Sequence, residues 1–113
     1  MIAKLEQFRA TLEAQTRQRY AREWERDQAR GLKYDLAVHE PAMTCKIKLG
    51  RKYANVDVGM SGRYMVELAT GNIYGIKGYG VIHRGHHYGT LDTINEYEWG
   101  EYTAFKRLVQ QAA

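Results

Sequence analysis

The first thirty residues contain neither glycine nor proline, and that absence constrains the fold more than any other feature of the chain. Ile2, Leu5, Phe8, Leu12, Tyr20 and Trp24 recur at helical intervals, with polar Thr16 between Leu12 and Tyr20. Good helix formers (Ala, Glu, Gln, Arg) fill most other positions. The spacing predicts one helix over 2–30, closed by a left-handed glycine cap at Arg30-Gly31-Leu32. At ~1.5 Å per residue such a helix is roughly 44 Å long, more than a globule of 113 residues needs. Part of it is therefore expected to protrude, or to form a homodimer seam through Leu5, Phe8, Leu12, Tyr20 and Trp24. Glu13 with Arg17 and Arg19 with Glu23 have the spacing of surface ion pairs.

Beyond Leu32 the period becomes alternating. Tyr34, Leu36 and Val38 predict a strand before Pro41, and Met43, Cys45, Ile47 and Leu49 a second. A third covers 53–58, with Ala54, Val56 and Val58 on one face and Asn55 and Asp57 in the polar register. Residues 63–68 and 73–77 flank the turn Ala69-Thr70-Gly71-Asn72 and read as a hairpin. Residues 78–92 read as irregular, with Val81-Ile82-His83 as one further short strand. Connections this short join antiparallel neighbours. Thr93 and Glu96 have capping-box spacing, and Gly100 separates that turn from a helix expected over Glu101 to about Gln111. Trp24 and Trp99 are expected to anchor the two helices to the sheet, and Cys45 to face the core. The reading is a single α+β domain over 1–113. It has a long N-terminal helix, an antiparallel meander of about five strands (an open curved sheet or a small barrel), and a C-terminal helix.

Composition narrows the function classes. A hydrophobic fraction of 44% supports a packed core rather than wholesale disorder. No run of eighteen apolar residues occurs, so no spanning helix and no membrane partner are expected. The segment MIAKLEQFRA is too charged for a signal-peptide core, and the lone cysteine, Cys45, needs no oxidising compartment. The setting expected from these features is the cytoplasm.

The uneven part of the chain lies between 71 and 89, where Gly71, Gly75, Gly78, Gly80, Gly85 and Gly89 fall, three of them directly after Tyr74, Tyr79 and Tyr88. Such a loop lets backbone approach a ligand closely. Three chemistries compete there. The favoured one is nucleic-acid binding: tyrosines stack on unpaired bases and cations meet phosphates. Its candidate residues are Lys46, Lys48, Arg51, Lys52, Lys77, Tyr79, Arg84, His86 and Tyr88. The net charge of +4 tempers this reading, and lysines at 46 and 48 equally suit the solvated face of an edge strand. An alternative is acid–base phosphodiester cleavage by His83 and His87, the chemistry of a small nuclease. The other is a metal held by His83, His86 and His87, with Cys45, His39 or Asp92 completing a tetrahedron, although the spacing of known zinc motifs is absent. No catalytic residue, metal or cofactor is assigned as the primary reading.

The motifs Ser61-Gly62-x-Tyr64-Met65-Val66, Thr70-Gly71-x-Ile73-Tyr74-Gly75-Ile76-Lys77 and Tyr79-Gly80-Val81-Ile82-His83-Arg84-Gly85-His86 lie within residues 52–100. That stretch resembles small accessory proteins of phages, plasmids and other mobile elements. The resemblance implies a bacterial cytoplasm and a role in nucleic-acid handling, host takeover or defence evasion, including anti-CRISPR inhibition. It implies as partner a nucleic acid or a host nucleoprotein defence complex, and it assigns no catalytic residue.

Overall fold

The computed structural model describes residues 1–107. Helix α1 spans Ile2–Ala29 and stops where the sequence predicts. Gly31 has φ 89°; its N–H bonds to Gln28 O, and that of Leu32 to Asp27 O at 3.0 Å. These are the paired bonds of a Schellman turn, and glycine takes that φ without a Cβ clash.

The next segment corrects the sequence reading. Residues 34–38 form no strand: the Asp35 carboxylate accepts the Ala37 N–H at 2.9 Å and starts a 3-10 turn, Leu36–His39. The turn runs on into α2 (Glu40–Met43), with Pro41 in its first turn, where its missing N–H costs no helical bond. A side chain capping its own backbone prevails here over an alternating pattern.

Five strands follow: β1 (Cys45–Leu49), β2 (Tyr53–Val58), β3 (Ser61–Glu67), β4 (Asn72–Gly78) and β5 (Val81–Thr90). They lie in chain order, each antiparallel to the next, with β1 and β5 at the edges of an open sheet. Five strands were expected, but not this set. The segment before Pro41 drops out, and the glycine-rich stretch read as irregular becomes the longest strand, 10 residues.

Cys45, Ala54, Val56, Val58, Tyr64, Val66 and Ile73 share one buried face, onto which α1 lays Leu5, Phe8 and Leu12. Thr16, also buried on that stripe, bonds its hydroxyl to Leu12 O at 2.7 Å, so a polar residue sits there without an orphaned group. The apolar stripe thus packs within the chain. Farther along, the Tyr20 ring meets His39 at 5.4 Å and Trp24 Nε1–H donates to Tyr34 O at 2.7 Å. Trp24 therefore anchors α1 to the segment 32–43 rather than to the sheet. Trp99 is fully buried, with its ring 4.7 Å from Phe8 and 5.3 Å from Tyr64. Its backbone N–H donates to Gln15 Oε1 at 2.6 Å, and Arg19 donates to Gly100 O, which ties this loop to α1.

The C-terminal helix is not seen among the described residues. Phe105–Lys106 (β7) pairs instead with Tyr97–Glu98 (β6), helped by ion pairs of Arg107 with Glu98 (2.8 Å) and Lys106 with Glu96 (3.6 Å). The remainder of the expected helix, to Gln111, lies outside the described residues. Among the described residues no helix is long and apolar enough to cross a membrane.

Candidate functional site

The register of β5 against β4 shifts at three places, and the widest break lies between Tyr74 and Gly75. Gly75 pairs with His83 and the next residue back, Tyr74, pairs with His87, so Arg84, Gly85 and His86 stand opposite no β4 residue. Bulges of this kind re-aim side chains. Here the bulge sends Arg84 across the sheet face that points away from α1, and His86 to the α1 side.

On the face away from α1, Arg84 Nη2 donates to Tyr53 Oη at 2.5 Å and lies 3.5 Å from Glu67 Oε2. Its guanidinium carbon is 5.4 Å from the Tyr74 ring centre, and His87 stacks on the same ring at 5.1 Å. Beneath this cover Met65 and Tyr74, paired across β3 and β4, are buried. Tyr79, half exposed, donates from its hydroxyl to Asp57 Oδ2 at 3.2 Å. Desolvation, then the Asp57 carboxylate, holds that hydroxyl above its ordinary pKa. Lys46 and Lys48 belong to this face too, opposite Asp57 and Asn55 in the β1–β2 ladder, and both are exposed. Arg51 and Lys52 are exposed in the adjoining turn.

The structure therefore gathers Lys46, Lys48, Tyr79 and Arg84 on one surface, with Arg51 and Lys52 at its rim. It does not gather the rest. Lys77 is exposed in the register opposite to Tyr74. Tyr88 faces the core, 5.6 Å from Tyr64 and 6.2 Å from Trp99 by ring centres, and burial raises its hydroxyl pKa. His86 stacks flat on His83, ring centres 3.9 Å apart at 9°, above Gly75 on the α1 side.

The two histidine alternatives lose their geometry in the same way. His83 and His87 point to opposite faces of β5, so they do not converge on one phosphodiester. Among the described residues no group of three His, Cys, Asp or Glu side chains is placed to hold a metal ion. Cys45 is buried, and burial, then the Glu13 carboxylate, pushes its thiol up to about 11. His39 lies between the rings of Tyr20 and Tyr34, and Asp92 pairs with Lys4 at 2.7 Å.

Tyr53, Glu67, Tyr74 and His87 belong to the open surface but were not singled out as binding residues. The alternation of β2, β3 and β4 carries a signal for the first three, since Tyr53 shares a register with Asn55 and Asp57, Glu67 with Met65, and Tyr74 pairs across from Met65. The bulge that turns His87 outward has no such signal. No protein-family model, curated protein or solved structure matches this chain.

Proposed function

We propose that the chain is a non-enzymatic protein that binds single-stranded nucleic acid, free or within a nucleoprotein complex, on the sheet face away from α1. Lys46, Lys48, Arg51 and Lys52 take phosphates, and Tyr79, Tyr53 and His87 offer rings to unpaired bases. One observation carries the reading. Among the described residues these four cations enter no ion pair, whereas Arg9, Arg17, Arg19 and Arg22 of α1 are all paired with carboxylates. Cations without partners beside half-exposed rings suit a strand whose bases are free to stack. The resemblance of residues 52–100 to mobile-element accessory proteins supports a host defence complex as the carrier of that strand.

Fluorescence anisotropy with a labelled single-stranded oligonucleotide tests it. Lys46→Glu and Tyr79→Ala should each weaken binding about tenfold, in line with about 1–3 kcal/mol per stacked base, while Arg26→Glu on α1 leaves it unchanged. Equal affinity in all four proteins would sink the proposal. Tight capture of a host complex stripped of nucleic acid, with no oligonucleotide binding, points to a protein-blocking inhibitor instead.

A further inference from the structure

The bulge that frees one face of β5 also opens a cleft on the other. Between β3, β4, β5 and residues 102–103 lies a cavity of about 210 Å³, with Arg63, Tyr64, His86, Tyr88, Tyr102 and Thr103 among its lining. Gly75 keeps it open: a Cβ there would stand 3.1 Å from His86 Cβ and 3.4 Å from the Tyr88 ring. Among the described residues no Asp or Glu lines it. Each of those six side chains carries a group that can donate a hydrogen bond.

Two further observations point to a missing acceptor. The Tyr64 residue is 2% exposed, yet its hydroxyl has no hydrogen-bond partner among the described residues; its polar neighbours are Arg63, Tyr88 and the Ala104 amide. A buried hydroxyl left this way is costly unless something accepts from it. Arg63, meanwhile, meets no carboxylate among the described residues. It donates to Tyr102 O at 3.3 Å and rests 4.7 Å from the Tyr102 ring centre.

We infer that this cleft binds a small oxyanion of the phosphate class, held by Arg63, the Tyr64 and Tyr88 hydroxyls and His86. An anion supplies the acceptor Tyr64 lacks and the negative charge Arg63 lacks. The site lies on the α1 side of the sheet, so it stands or falls independently of the open face.

Calorimetric titration of the full chain with inorganic phosphate and, separately, with uridine 5′-monophosphate tests the inference, at ionic strength matched with chloride. Saturable binding is expected, about tenfold weaker in Tyr64→Phe, as for loss of one hydrogen bond to a charged group, abolished in Arg63→Gln, and unchanged in Arg26→Glu on α1. Tighter binding of the nucleotide marks an esterified phosphate as the ligand, and equal binding marks the free anion. Either supports the site. Absence of saturation with both anions overturns it, as does wild-type affinity in Tyr64→Phe, which would leave the hydroxyl to an ordinary buried water. Tyr64→Phe keeps the packed ring and removes only the orphaned hydroxyl, so its fold is expected to survive, and a thermal melt without anion checks that.

Discussion

Glu13 illustrates how a single side chain joins the two halves of this molecule. From the middle of α1 its Oε1 accepts the backbone N–H of Cys45, the first residue of β1, at 2.8 Å, and Arg9 Nη1 at 3.1 Å. Its other oxygen accepts Arg17 Nε at 3.2 Å, and Arg17 continues to Glu40 at 2.6 Å. The Cys45 N–H, then Arg17 and Arg9, hold the Glu13 carboxyl below the usual carboxylate range, against a desolvation that acts the other way. A carboxyl whose folded pKa is depressed stabilises above its unfolded pKa, and that contribution disappears as pH falls through the folded value. Glu13→Gln should therefore lower stability by about 1–2 kcal/mol at neutral pH, the scale of hydrogen bonds to a charged group. The deficit should begin to shrink as pH falls through the unfolded carboxyl's value of about 4.3, and go on shrinking as pH falls through the depressed folded value. Urea denaturation of both proteins at neutral and acid pH checks this; a deficit of constant size would assign the loss to packing.

At the scale of elements, what could be read in advance depended on whether local chemistry and long-range pairing agreed. Around β2, β3 and β4 they did. Alternating apolar residues and short polar turns specify antiparallel pairing, and Ala54, Val56 and Val58 reach the core as their period implies. At 34–43 they conflicted. Tyr34, Leu36 and Val38 alternate, but Val38 is 63% exposed, and Asp35 diverts the backbone before any partner strand can be met. In β5 the alternation is broken by the bulge at 84–86, so the strand is visible only through its ladder with β4. The site was legible to the same extent: Lys46 and Lys48 follow from period two, whereas the bond from Arg84 to Tyr53 joins residues 31 apart in sequence and exists only once the sheet is built. If the Asp35 cap is what prevents a strand, Asp35→Ala should cost about 0.5–2 kcal/mol. Hydrogen exchange should show the loss first at the Ala37 and Val38 amides, the latter bonded to Asp35 O at 3.1 Å. Unaltered protection there would mean that Pro41 and the packing of Met43 suffice to hold the turn.

For the whole molecule, the fold changes what the charge means. By sequence the excess of +4 divides equally, +2 in residues 1–30 and +2 in the remainder, and so locates no surface. Folding breaks that symmetry, because the arginines of α1 that find carboxylates are discharged within the molecule, while β1 and its following turn present four cations outward. Asp57 is engaged by Tyr79, and Glu67 lies against Arg84, so the two acidic groups of that face are each met by a neighbour. Four cations meeting single-stranded phosphates predict a slope of log Kobs against log salt of about −3, at roughly 0.7 per contact. Exchanging both Lys46 and Lys48 for Glu should cut that slope by half or more, and Arg26→Glu should leave it unchanged, since α1 covers the other side of the sheet. The dependence on position is what separates this surface from a generally basic protein, in which each reversal would reduce the slope alike. A slope near zero with affinity retained would show that phosphates are not what the lysines meet, and would move the contact to the rings of Tyr53, Tyr79 and His87 or to a protein partner.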